Sequence, residues 1–129
     1  MTDYKYGIEM EQKMMPKIND FIVDLYGKTI KKTEGKYNLF DFKAKKIRVE
    51  LKSRRVDSFT YQDTMIDNCK ILKGLRLIEQ RQYNIYFFFH FDDGLFYYKL
   101  KEGDNKRLRL NRFKGVKKNY IDIKNLIKI

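Results

Sequence analysis

Three polar side chains fall at a spacing that could act on a phosphate: Asp41, Glu50 and Lys52. Glu50 and Lys52 are two apart, so they share one face of any strand that contains them. Asp41 precedes Glu50 by nine positions, with eight residues between them. A hairpin loop of two or four residues puts Asp41 on that same face, opposite or diagonal to Glu50, with Cβ atoms roughly 5 to 8 Å apart. A three-residue loop without a bulge puts it on the other face. Two carboxylates held that close raise one another's pKa unless a cation joins them. A hard divalent ion, Mg²⁺ or Mn²⁺, takes oxygen ligands of this kind. The neighbouring lysine is then placed to orient a water or to neutralise charge on a phosphate, which is what metal-assisted phosphodiester hydrolysis requires. The competing reading is a solvated strand with a Glu–Lys face and an aspartate near a turn.

The flanking pattern supplies the strands. Residues 37–43 and 46–52 form a pair, and in the second Ile47, Val49 and Leu51 alternate with Arg48, Glu50 and Lys52. Residues 28–33 read as a short edge strand. Residues 7–26 read as a helix with an apolar stripe of Met14, Met15, Ile18, Phe21, Ile22 and Leu25, stopped at Gly27, with Pro16 as a kink or a first turn. Residues 61–80 read as a second helix, capped by Thr60 with Asp63, with Met65, Cys69, Leu72, Leu75 and Ile78 as its stripe and Gly74 as a point of close packing. Residues 83–91 are apolar on both faces, as in a central strand covered on both sides. Asp92-Asp93-Gly94 turns the chain into a return strand at 95–100. Residues 101–118 are polar and basic, 120–123 add a last strand, and 125–129 form a short apolar end. The expected fold class is α/β (or α+β), with helices packed on a central mixed sheet.

The 129 residues fit one domain, with a core over about 7–100 and a basic C-terminal extension over 101–129. No apolar run approaches the roughly 20 residues of a membrane helix, and the N-terminus has no apolar signal core. One cysteine excludes an internal disulfide and any multi-cysteine metal site. The expected location is intracellular, in the cytoplasm, and in the host cytoplasm if the chain is viral. Lysine outnumbers arginine 21 to 8, a bias shared with AT-rich genomes such as those of viruses and phages.

The net charge is +12, which favours a polyanionic partner. Residues 101–129 hold 10 basic and 3 acidic side chains, more than half of the excess. Candidate phosphate contacts are Arg54, Arg55, Lys106, Arg107, Arg109, Arg112, Lys114, Lys117 and Lys118, against the alternative of a highly charged soluble surface. Tyr61 and the tyrosines of the 83–100 hairpin are placed for core packing before base stacking. Other chemistries are poorly served. The chain has no P-loop, GxGxxG, GxSxG or HExxH pattern. The single histidine, His90, lies in the most apolar strand, and Cys69 lies on a helix stripe; both read as structural.

Asp41 followed by Glu50-Leu51-Lys52 resembles the D…(D/E)xK core of the PD-(D/E)xK nuclease superfamily. That resemblance implies a restriction-endonuclease-like αβββαβ core. It also implies Mg²⁺ (or Mn²⁺) held by Asp41, Glu50 and the backbone carbonyl of Leu51, with Lys52 activating water or stabilising the transition state. A further family feature, an acidic residue on the first helix, matches Glu11, which lies on the apolar stripe where Glu9 does not; the resemblance implies a catalytic role for Glu11, supporting a second metal or orienting the ligands of the first. Gly7 with Glu11, and Ser53-Arg54-Arg55 after the lysine, look like small archaeal Holliday-junction resolvases, and Gln62 is a weaker match to a glutamine that some members use. The residue before Asp41 is Phe40 where many members carry proline, and the Asp41–Glu50 segment is short for a resolvase. The implied function is a metal-dependent DNA endonuclease acting on branched or structured DNA as a homodimer, with no membrane partner. The alternatives are a non-catalytic nucleic-acid-binding module on a nuclease fold, a nicking or restriction-like enzyme, and an RNA endonuclease.

Overall fold

The computed structural model describes residues 2–35 and 38–129. The first helix, α1 (Asp3–Tyr26), starts at Thr2, whose hydroxyl accepts the Lys5 N–H at 3.2 Å, and ends at Gly27 in the left-handed conformation (φ 65°). It runs through Pro16. The proline removes one N–H bond, to the carbonyl of Gln12, and both residues are exposed, so water can serve that carbonyl. Met14, Ile18 and Ile22 are buried as their spacing requires, while Leu25 is solvent-facing.

Three strands follow: β1 (Lys31–Lys32), β2 (Phe42–Ala44) and β3 (Ile47–Ser53). The first is shorter than the expected 28–33. The second begins at Phe42, and the expected strand start at 37 lies outside the described residues. β2 and β3 are antiparallel with Phe42 opposite Val49 and Ala44 opposite Ile47, so the loop is the two residues Lys45–Lys46. Lys46 takes a left-handed conformation (φ 60°) to close it.

The second helix differs from expectation. Residues 63–67 form a strand, β4 (Asp63–Asp67), and the helix α2 (Asn68–Arg81) begins only after it. Thr64 and Ile66 are buried and alternate with half-buried Asp63, Met65 and Asp67, a period of two that overrides the helical spacing of Met65 and Cys69. The Thr60–Asp63 cap is therefore absent, and Gln62 precedes a strand rather than opening the helix. The buried face of α2 is Ile71, Gly74 and Leu75, whereas Cys69 is exposed and Leu72 is 45% exposed. The expected close approach at Gly74 is present: a Cβ there would lie 2.7 Å from Leu100 Cδ2 and 3.2 Å from Ile85 Cγ2.

β5 (Asn84–Phe91) lies parallel to β3, and α2 is part of the crossover between them. β6 (Gly94–Lys99) returns antiparallel to it. A single helical turn, α3 (Asp104–Arg107), is pinned by the buried Asp104 carboxylate, which accepts from Tyr98 Oη (2.8 Å), Lys101 N–H (2.9 Å) and Arg107 Nε (3.1 Å). The basic stretch forms a hairpin of β7 (Arg109–Phe113) and β8 (Val116–Asp122), so the strand expected at 120–123 begins earlier, at Val116. A 3₁₀ turn (Ile123–Asn125) leads to β9 (Ile127–Lys128).

The strands make a six-stranded mixed sheet, β1-β2-β3-β5-β6-β9, and a three-stranded sheet, β4-β8-β7. The αβββαβ order is present with β4 inserted before α2. Core residues divide by the alternation of β5. Tyr86 and Phe88 pack with Met14, Ile18 and Ile22 of α1. Ile85, Phe87, Phe89 and Phe91 pack with Ile71 and Leu75 of α2 and Ile121 of β8. The central strand is covered on both sides, as its unbroken apolar run requires. None of the described helices is long and apolar enough to cross a membrane.

Candidate metal centre

The two-residue loop satisfies the condition that the spacing imposed. Extending the β2–β3 register by one step sets Asp41 opposite Glu50. Ile47, Val49 and Leu51 of β3 face α1, so Glu50 and Lys52 face the α2 side. Asp41 Oδ2 accepts the backbone N–H of Leu51 at 2.8 Å, which ties this carboxylate to the strand that carries Glu50 and Lys52. In extended backbone a residue's N–H and C=O point toward the same strand edge, so the Leu51 carbonyl projects to the Asp41 side as well.

Glu50 is 1% exposed. Two cations reach it. Lys52 Nζ lies 3.6 Å from Oε2, and Lys70 of α2 makes a direct ion pair with the same oxygen. The other oxygen, Oε1, is buried and has no hydrogen-bond partner. Burial, and next the negative charge of Asp41, push the Glu50 pKa up to about 7 against the pull of Lys70 and Lys52. A buried carboxylate with one idle oxygen beside a second carboxylate is a donor set that suits a hard divalent cation, which binds through one or two carboxylates and keeps several waters. Asp41, Glu50 and the Leu51 carbonyl would hold such an ion. No cluster of three or more acidic, histidine or cysteine side chains at metal-binding distance exists among the described residues.

Glu11 stands apart from this pair. It is on α1, which packs on the face of the sheet opposite Glu50, and its carboxylate pairs with Lys32 at 3.0 Å. It is largely buried, as its place on the apolar stripe implies, whereas Glu9 is exposed. Lys70 and Asp67 were not anticipated. Lys70 lies one turn before Gly74 on the sheet-facing side of α2, so a cation on that stripe was a readable signal once the helix start is set at Asn68. Asp67, the residue before α2, is hydrogen-bonded by Lys118 of β8. Burial works to raise its pKa, but the Lys118 hydrogen bond and charge, with Lys52 and Lys70 nearby, hold it below the usual aspartate value.

The basic residues expected at phosphates have varied surroundings. Arg55 reaches the start of α1: it donates to the Thr2 carbonyl at 3.2 Å, lies over the Tyr6 ring at 4.2 Å and is 3.9 Å from Asp3. Arg107 pairs with Asp104, Arg109 with Asp63, and Lys118 with Asp67. Arg54 is half-buried, and burial lowers its pKa against the pull of Asp67. Gln62 is exposed, and its carbonyl accepts from Ile123. Lys106, Arg112, Lys114 and Lys117 are exposed and enter no ion pair among the described residues. His90 is half-buried with Nδ1 unpartnered, and burial lowers its pKa. Tyr98 is core, with its pKa raised by burial and by its bond to Asp104, and Tyr61 is exposed.

No family model matches the chain, and no curated protein matches it. Among solved structures the chain is similar to Archaeoglobus fulgidus Hjc, a Holliday junction resolvase from an archaeal hyperthermophile. The two share 14% identity over 80% of this chain and 85% of that one, with a TM-score of 0.48.

Proposed function

We propose that the chain is a metal-dependent endonuclease that hydrolyses phosphodiester bonds in DNA, with branched DNA as its preferred substrate and a homodimer as its working form. The observation that carries the chemistry is Glu50: buried, opposite Asp41, flanked by Lys52 and Lys70, with Oε1 lacking any partner. Residues 1–129 act as one nuclease domain in this reading. Asp41, Glu50 and the Leu51 carbonyl hold Mg²⁺ or Mn²⁺, which supplies Lewis acidity toward the phosphate. Lys52 is the more exposed of the two lysines on Glu50 and is assigned to the attacking water or the phosphate charge. Lys70 is assigned to positioning Glu50 and keeping it ionised near neutral pH. Glu11, on the other face of the sheet, is a supporting residue in this scheme and not a shared ligand. Branch preference rests on the resemblance of Gly7–Glu11 and Glu50–Arg55 to junction resolvases, and intracellular action follows from a DNA substrate.

The test uses labelled duplex, single-stranded and four-way-junction DNA with Mg²⁺, Mn²⁺ or EDTA, with wild type beside Asp41→Ala, Glu50→Gln and Lys52→Ala. Metal-dependent cleavage of the junction above the duplex, lost in each variant, is the expected result. Undiminished cleavage by folded Glu50→Gln removes the assignment. One observation favours a second reading, a non-catalytic nucleic-acid-binding module: Lys70 already holds one oxygen of Glu50. That reading predicts salt-dependent DNA affinity with no Mn²⁺ binding and no turnover.

A further inference from the structure

A basic cleft lies away from the carboxylate pair, at the turn between β2 and β3. It has a volume of about 840 Å³, and its cationic lining is Lys31, Lys43, Lys45, Lys46, Arg48 and Arg81, with Thr29, Ala44 and the end of α2 completing the wall. No acidic side chain lines it. None of the six cations enters an ion pair among the described residues. In the C-terminal segment, by comparison, Arg107, Arg109 and Lys118 are each matched by an aspartate, while Lys106, Arg112, Lys114 and Lys117 enter no ion pair among the described residues. Six like charges around one concavity repel each other, and an anionic occupant relieves that cost more than salt screening does.

The turn is also held in shape. Lys28 Nζ donates to the Lys45 carbonyl at 3.0 Å, and Arg48 Nη1 donates to the Ala44 and Ile47 carbonyls at 3.0 and 2.8 Å. Arg48 also lies over the Tyr83 ring at 5.0 Å. These bonds fix the backbone while the Lys43, Lys45 and Lys46 ammonium groups remain exposed. The cleft thus presents a fixed wall with mobile point charges on it, a form suited to a phosphate backbone and poor in groups that could read bases.

We propose that this cleft is a second DNA-backbone contact, which anchors the substrate on one side of the candidate metal centre. The proposal rests on the nucleic-acid part of the function above and not on catalysis. Lys46 precedes Glu50 by four strand residues, which spans about 13 Å. Duplex DNA advances 3.4 Å per base pair, so for a duplex lying along β3 the anchored phosphates are about four base pairs from the bond at Glu50. The anchor sets position and strength and carries no sequence preference.

The experiment measures affinity for a labelled two-turn duplex in EDTA across a salt series. Wild type is compared with Lys43→Gln/Lys45→Gln/Lys46→Asn, and with Lys106→Gln/Arg112→Gln/Lys117→Gln in the C-terminal segment. Asparagine suits the left-handed position at 46, and thermal melting verifies that both triples fold. Each lost phosphate contact lowers the slope of log affinity against log salt by about 0.9, so the cleft triple is expected to lower it by about 3. An unchanged slope for the folded cleft triple overturns the proposal, whatever the C-terminal triple does. Cleavage with Mg²⁺ is scored separately. A wild type that binds with the expected slope change but never cuts overturns the nuclease reading and leaves the anchor in place.

Discussion

Replacing Glu50 with glutamine should make the protein more stable at pH 8 while removing the proposed activity. Glutamine has the shape of the protonated glutamic acid and lacks its charge. The Glu50 carboxyl titrates near 7 in the fold against 4.5 ordinarily, because burial and then Asp41 disfavour the anion more than Lys70 and Lys52 favour it. The native state therefore holds this proton where the unfolded chain has released it. Unfolding stability falls as pH rises from about 4.5 to about 7, and the full penalty is present above 7. The difference of about 2.5 pH units corresponds to roughly 3 kcal/mol at 1.36 kcal/mol per unit. Glu50→Gln removes that penalty and should be more stable than wild type by roughly 3 kcal/mol at pH 8, with the two converging toward pH 4.5.

Urea unfolding at pH 5, 6, 7 and 8 without divalent ions is the assay, because it yields a free energy at each pH directly. Three kcal/mol at a typical urea slope moves the midpoint by about 1 to 3 M. A wild-type curve parallel to that of Glu50→Gln across the whole range would refute the reasoning, because it would mean that Glu50 carries no folded-state proton anomaly. A destabilised Glu50→Gln at pH 8 would refute it more strongly. It would show that Lys70 and Lys52 more than offset the burial of the carboxylate, and that the site is an ordinary buried ion pair.

The remaining predictions concern the supports of the site. Lys70→Met removes one of the two cations that lower the Glu50 pKa, so the acid limb of the pH–rate profile should move to higher pH, with the fold retained; an unmoved limb would assign Lys70 to packing alone. Gly74→Ala gains about 1 kcal/mol of helix propensity but drives a methyl group to 2.7 Å from Leu100 Cδ2 and 3.2 Å from Ile85 Cγ2, so a net loss of about 1 kcal/mol is expected in urea unfolding.

How much of this was legible follows from the kind of order each residue obeys. Asp41 and Glu50 could be matched because strand alternation is strict and only one assumption, an even loop length, stood between the spacing and the geometry. The two faces of β5 were legible for the same reason, since eight residues with almost no polar interruption admit few placements. The start of α2 was not. Met65, Cys69 and Leu72 satisfy a helical period while Thr64 and Ile66 satisfy a strand period, and only pairing with β8, some fifty residues later, decides between them. β7 and the first half of β8 were hidden because all five residues of β7, and Val116 and Lys117 of β8, are exposed, so no hydrophobic pattern marks them. Charge was legible in amount, while its pairing was not, because that depends on aspartates brought in from elsewhere in the fold. Residues 101–129 carry the largest local excess, yet three of their cations are matched by aspartates at 63, 67 and 104, two of them outside that segment. The smaller cluster at 43–48 has no such partners among the described residues.

Lys70 shows why the candidate site is more than the triplet that revealed it. Glu50, Asp41 and Lys52 come from one hairpin, which by itself would leave Glu50 in water with an ordinary pKa. The parallel pairing of β3 with β5 forces the chain over the α2 face, and that crossover both buries Glu50 and delivers Lys70 to it. Burial, and next the charge of Asp41, raise the carboxyl's pKa, the two lysines pull it down, and the balance leaves it at about 7. The outcome is an acid group poised where either proton or metal can hold it. A fold selected for stability alone would fill this position with an apolar side chain and avoid a penalty of roughly 3 kcal/mol. The same Asp41 charge that opposes ionisation of Glu50 becomes favourable once a divalent cation lies between them, so the arrangement that is costly without the ion is the one that binds it.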